Sequence, residues 1–233
     1  MSRIRRLTEH HIRRVHREVA DGGALPGFEH FSDAQYDEHL QEFLQSRPDG
    51  PVAVFAYGSL IWKPVFEPSA QLRAIALSWE RAFTLRLKRF RFTPECPGLM
   101  MQIDQGGTCE GVLQLVPSEQ EWEILSDLWR REMTVRPPGN HPTWIEVKAE
   151  DKLWQAIAFA ANPVSPNYAG RLTVEEVANC LATACGHWGS GAEYLLQTIM
   201  ALENVGIHDP YLWALQERVA EIIEAAMTDT LRA

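Results

Sequence analysis

Apolar residues recur along this chain with two different periods, and the changes of period mark out its elements. Behind Ser32 they fall at Tyr36, Leu40, Phe43 and Leu44, the three-and-four spacing of a helix face, which predicts a helix capped by Ser32 and running to about Ser46. Arg47-Pro48-Asp49-Gly50 ends it. Residues 51–62 are then a run of β-branched and aromatic residues broken at Tyr57-Gly58-Ser59, the pattern of a buried strand delivering a turn. Gly58 there permits positive φ or close approach to a ligand, and the N–H groups around it can form an anion-binding concavity. An ordinary strand-to-turn glycine fits that spot equally well.

Alternation continues over 72–77, 81–88, 99–104 and 109–116, and Gln105-Gly106-Gly107 predicts a hairpin between the last two. Ser118 and Glu121 form a capping-box pair opening a helix to about Arg131, and two more strands are expected over 143–149 and 152–161. In the C-terminal third, Thr173 with Glu176, Ser190 with Glu193, and Asp209 before Pro210 start three helices in succession. So many strands with short connections predict an α+β fold, a small mixed β-barrel with helices packed around it, mostly C-terminal.

Composition narrows this picture. The 233 residues suit one globular domain with a substantial core, or a domain plus an extension. Residues 1–50 read as a basic arm and a helix, rich in arginine up to Arg17, and 51–233 as the domain proper. The arm is expected to be a solvated segment. A net charge of −9 argues against general nucleic-acid binding, which needs a basic face. No apolar stretch is long enough to cross a bilayer, and four cysteines without a Cys-x-x-Cys pair suit reduced thiols, so a cytoplasmic protein is expected. Cys180 and Cys185, five apart on a predicted helix, suit core packing. His10, His11 and His16 lack metal-ligand spacing, so no metal site is expected.

One acid is out of place. On the helix after Ser118, Trp122, Leu125 and Trp129 share a face, and the next position on it is Glu132. The helix C-terminus repels an anion and burial disfavours its charge, so both effects raise its pKa toward that of a general base. A frayed last turn, with Glu132 swung out or paired to Arg130 or Arg131, satisfies the spacing too. Ser59 lacks a nucleophile elbow, and Gly58 is not followed by the Lys-Ser/Thr of a P-loop.

Residues 54–64 (Val-Phe-Ala-Tyr-Gly-Ser-Leu-Ile-Trp-Lys-Pro), then 79–83 (Trp-Glu-Arg-Ala-Phe) with Leu85 and Leu87, Pro97-Gly98, Gly111-Val112, and 128–133 (Leu-Trp-Arg-Arg-Glu-Met) follow one another in an order and spacing that resemble the ChaC-type γ-glutamylcyclotransferases. The resemblance covers about residues 50–225. It implies a small barrel with packed helices and a glutathione-specific activity, in which the γ-glutamyl group cyclises to 5-oxoproline and cysteinylglycine leaves, without a cofactor. Carried over, it places substrate binding on Tyr57, Gly58, Ser59, Leu60 and Arg81, and catalysis on Glu132. Arg81 is either a carboxylate contact or a structural clamp on the loop. Ala56 stands where many members have glycine, and Asn140-His141-Pro142-Thr143-Trp144 offers no tyrosine where relatives place one. Two other readings remain: a non-catalytic γ-glutamyl or glutathione sensor, and a cyclotransferase for other γ-glutamyl amines.

Overall fold

A computed structural model describes residues 4–23, 25–27, 29–134 and 136–230. Strands β1 (Ala53–Ala56), β2 (Ala70–Leu87), β3 (Gly98–Leu115), β4 (Asn140–Ala149) and β5 (Lys152–Ala161) close into a barrel in the order β1-β3-β2-β4-β5. Closure comes from β5, which runs antiparallel to β4 and parallel to both β1, at Val54 with Ile157, and β3, at Ile103 with Ala160. Five strands enclose little space. Bulky Phe55, Ile103, Leu113, Ile145 and Val147 therefore share the interior with Ala156, Ala158 and Ala160 on β5, large against small. Gly111 serves the same economy, because a Cβ there would lie 2.6 Å from both the Ala56 carbonyl oxygen and the Phe55 ring. Only hydrogen lets β3 approach β1 so closely.

The expected hairpin at 105–107 does not form. Residues 99–104 and 109–115 both belong to β3, one strand of 18 residues, and 72–77 and 81–87 likewise merge into β2. The glycines bend the strand instead of reversing it: Gly106 and Gly107 take φ of 126° and 55°, and a Cβ on Gly107 would sit 2.8 Å from Glu80 Oε2. Ser78 on β2 also has positive φ, 64°. The tight reversal is Glu150-Asp151, both at positive φ, between β4 and β5.

Two compact units result. The barrel unit comprises Pro26–Ala82 and Met101–Tyr168; the helical unit comprises Met1–Leu25, Phe83–Met100 and Ala169–Ala233. In the helical unit α5 (Val174–Thr183) and α6 (Gly191–Asn204) begin where their caps say, with Thr173 and Ser190 accepting from the Glu176 and Glu193 amides. Asp209 Oδ1 accepts from the Leu212 amide at 3.0 Å to open α7 (Pro210–Thr230). A two-residue ladder, β6 (Cys185–Gly186) with β7 (Gly189–Ser190), joins α5 to α6.

The arginine-rich start is docked here, contrary to the solvated arm expected from composition. Its helix α1 (Glu9–Val15) and the residues before it bury Leu7, Ile12 and Val15, and the Leu7 amide donates to Gln216 Oε1 at 2.8 Å. Arg6 pairs with Glu221 and Glu224 on α7 at 2.5 and 2.6 Å. Buried apolar positions outweigh the charges because arginines reach solvent on long stems while Leu7 and Ile12 fill the core.

In the barrel unit, α2 (Asp33–Leu44) lies on α4 (Glu121–Glu132). The Ser118 capping box is absent: Ser118–Gln120 form a 3₁₀ turn and α4 starts at Glu121. Leu125, Leu128 and Trp129 are fully buried, but Trp122 is 42% exposed, so the buried stripe is narrower than the sequence pattern indicates. Between β1 and β2 stands a four-residue helix, α3 (Ser59–Trp62).

Candidate active site

The end of β1 and the end of α4 meet through one arginine. Gly58 stands at the head of α3 with φ −148° and ψ −124°, so the positive φ that the sequence permits is not used. Gly58 and Leu60 are buried, whereas Tyr57 and Ser59 are partly open. The Leu60 carbonyl accepts from Gln114 Nε2 at 3.5 Å. The amides of Ser59 and Leu60 open a helix, where N–H groups have no acceptor within the helix itself.

Two side chains fix this turn from below. The Tyr57 hydroxyl donates to the Phe159 carbonyl on β5 at 2.5 Å. Arg81, on β2 and only 7% exposed, donates through Nε to the Tyr57 carbonyl at 2.9 Å and through Nη2 to the Glu110 carbonyl. Its guanidinium thus ties the exit of β1 to β3, the geometry of a clamp.

Glu132 is the last residue of α4, with its side chain 18% exposed. Burial pushes its carboxyl above the ordinary carboxylate range, and the charge of Arg131 partly opposes that push. The frayed turn weighed from the spacing is not what forms. The helix holds to Glu132, and the Met133 amide still donates to the Trp129 carbonyl at 2.9 Å. The pairing with Arg131 does form, at 3.3 Å between Nε and Oε1. The other nitrogens of Arg131 reach the turn, Nη2 to Ser59 Oγ at 3.4 Å and Nη1 to the Lys63 carbonyl. A carboxyl kept from ionising easily therefore sits one arginine away from the Gly58 turn.

Helix α2, which precedes the motif-bearing region, braces the same acid. Tyr36 donates its hydroxyl to the Met133 carbonyl at 2.9 Å, and Trp129 Nε1 donates to His39 Nδ1 at 3.0 Å. Trp129 is wedged between Phe43 and Phe159, which seats α4 on β5. On β4, His141 falls on the same side of the strand as Ile145 and Val147; its Nδ1 is buried with no hydrogen-bond partner, and burial pushes its pKa down. Sequence reasoning singled out neither Arg131 as a bridge nor Tyr36 as a brace. The arginine's only signal was its place beside Glu132, and nothing local links Tyr36 to a residue 97 positions away.

Among the described residues no group of three or more His, Cys, Asp or Glu is placed to hold a metal ion, and no helix is long and apolar enough to cross a membrane. The profile of the ChaC-like protein family matches residues 52–222. A glutathione-specific γ-glutamylcyclotransferase of Escherichia coli is 34% identical over 85% of this chain and 86% of its own. The human glutathione-specific γ-glutamylcyclotransferase 1 is 28% identical, over 75% and 78%. Among solved structures, a yeast γ-glutamyl cyclotransferase specific to glutathione superposes with a TM-score of 0.65 at 22% identity, covering 74% of this chain and 97% of that one. That likeness is one of fold.

Proposed function

Because the chain belongs to the ChaC-like family, we propose that it is a glutathione-specific γ-glutamylcyclotransferase acting in the cytoplasm, with Glu132 as its general base and the Tyr57–Leu60 turn as the seat of the γ-glutamyl group. The substrate's α-amino nitrogen attacks its own γ-carbonyl carbon. A five-membered lactam closes, the γ-amide C–N bond breaks, and 5-oxoproline and cysteinylglycine separate. Nucleophile and electrophile lie in one molecule, so the enzyme's task is to bend the chain and move a proton; well-oriented intramolecular reactions reach effective molarities of ~10⁵–10⁸ M.

The observation that carries this reading is Glu132 itself, a carboxyl whose burial raises its proton affinity while Arg131 ties it to Ser59. A raised pKa narrows the gap to the α-ammonium group from which the proton must come. Glu132 takes that proton and returns it to the departing amine. The Ser59 and Leu60 amides bind the α-carboxylate or the developing oxyanion. Arg81 is spent on the Tyr57 and Glu110 carbonyls and serves as the clamp that shapes the turn.

Incubating the protein with glutathione and following 5-oxoproline and cysteinylglycine tests the assignment. Formation of both in equal amounts is expected. Binding of glutathione without products would favour a sensor. Faster release of amine from other γ-glutamyl compounds would overturn the substrate and leave the reaction.

A further inference from the structure

The helical unit holds two cysteines that packing brings together. Cys96 lies in the loop between β2 and β3, in a turn closed twice: the Thr93 amide donates to the Cys96 carbonyl at 3.2 Å, and the Cys96 amide to Thr93 Oγ1 at 3.1 Å. Cys180 lies on α5. Each thiol reaches into the other's segment. Cys180 Sγ is 3.6 Å from the carbonyl oxygen of Pro97, the residue after Cys96, and Cys96 Sγ is 3.9 Å from that of Thr183, one turn beyond Cys180. Both cysteines are partly exposed, whereas Cys109 and Cys185 are buried.

We propose that Cys96 and Cys180 are a dithiol site that closes to an intramolecular disulfide by exchange with a low-molecular-weight disulfide. Burial pushes the Cys180 thiol up, which makes it the poorer first nucleophile. Cys96, on the loop, attacks first. Its thiolate displaces RS⁻ from R–S–S–R and leaves a Cys96–S–S–R bond; the Cys180 thiolate then attacks the Cys96 sulfur, forming Cys96–S–S–Cys180 and expelling the second RS⁻. The two protein thiols give up two electrons to the small disulfide, and their two protons end on the released thiols. The Arg86 guanidinium and the Leu99 amide favour the Cys180 thiolate, while burial and the nearby Cys96 sulfur, close enough to be felt electrostatically, oppose it until Cys96 is held in the mixed disulfide. The assignment stands apart from the proposed catalytic reaction, because Glu132 and the Tyr57–Leu60 turn belong to the barrel unit.

The test uses the full chain and bis(2-hydroxyethyl) disulfide, which carries no γ-glutamyl group to be turned over. After incubation and thiol alkylation, intact mass and peptide mapping should show the loss of two hydrogens, one 96–180 cross-link, and alkylation of Cys109 and Cys185 only upon unfolding. Cys180→Ser should stop at the mixed disulfide on Cys96, and Cys96→Ser should give no cross-link. Wild-type protein that accumulates mixed disulfides without cross-linking, or that links any other pair, overturns the proposal. So does protein whose Cys96 and Cys180 both stay fully alkylatable.

Discussion

Glu132 at the end of α4 and Glu224 within α7 are the same residue type, and their surroundings drive their protons in opposite directions. Glu132, 18% exposed, is raised by burial, with the single charge of Arg131 as its counterweight. Glu224, 41% exposed, is lowered first by its hydrogen bonds to Arg6 and His11, which outweigh a small burial effect. Desolvation wins where water is excluded and the cation is shared with other acceptors. Hydrogen bonding to cations wins where water remains. The difference separates an acid suited to proton transfer from one that staples an N-terminal segment onto α7.

The largest break in this contrast should come from Glu132→Gln, which keeps the volume and removes the proton acceptor. Turnover is expected to fall by ~10²–10⁴. For the unaltered protein, the rate should drop on acidification through a pKa above that of a free glutamate. The stability sign is the reverse of the usual carboxylate: a folded-state pKa raised above the unfolded value means that Glu132 favours folding at low pH and loses that contribution as pH rises through the folded pKa. Glu132→Gln should therefore be at least as stable as the parent at neutral pH, measured by denaturant midpoint. A well-folded variant with near-normal turnover would remove Glu132 from the mechanism.

On the other side of the contrast, Leu7→Ala tests whether the N-terminal segment is held by its core contacts or by Arg6 and Glu224. Leu7 is 1% exposed, so the loss should be about 2–5 kcal/mol of stability by chemical denaturation, with turnover of the folded protein unchanged. A loss below 1 kcal/mol would return the segment to the solvated arm that its composition suggests.

Arg131→Met sharpens the Glu132 half. Without the guanidinium the carboxyl loses its counter-charge and its tie to Ser59, so the acid limb of the rate profile should move to higher pH, and turnover should fall by up to ~10² from misplacement alone. Arg131→Lys should restore the limb better than the rate, since an ammonium supplies the charge but not three directed donors. An unmoved limb would mean that Arg131 does not set the Glu132 proton affinity.

The smallest effect belongs to Glu224→Gln, where an exposed pair is screened by solvent. Glu224 has a depressed folded-state pKa, so its contribution is present above the unfolded glutamate pKa and is lost as pH falls through the lower folded value. The variant should melt slightly earlier than the parent at neutral pH, with the gap closing in acid and shrinking in salt. A gap that widens in acid would contradict the lowered pKa.

What the sequence determined was local. Thr173, Ser190 and Asp209 start helices because each cap satisfies amides within three residues of itself, and the run before Tyr57 makes a strand because nearly every position is apolar. The order of short motifs also singles out Glu132 and Tyr57–Leu60 as the expected site. What only the tertiary structure decided rests on contacts that no window of sequence contains. Gly106-Gly107 lies inside one long strand, where Glu80 leaves no room for a Cβ on Gly107, and no two strands turn back there. The arginine-rich start docks because α7 offers Gln216, Glu221 and Glu224 to residues more than two hundred positions earlier. Arg81 becomes a clamp and Arg131 a bridge only once the barrel has closed, since a guanidinium's role is set by which oxygens folding brings within its reach.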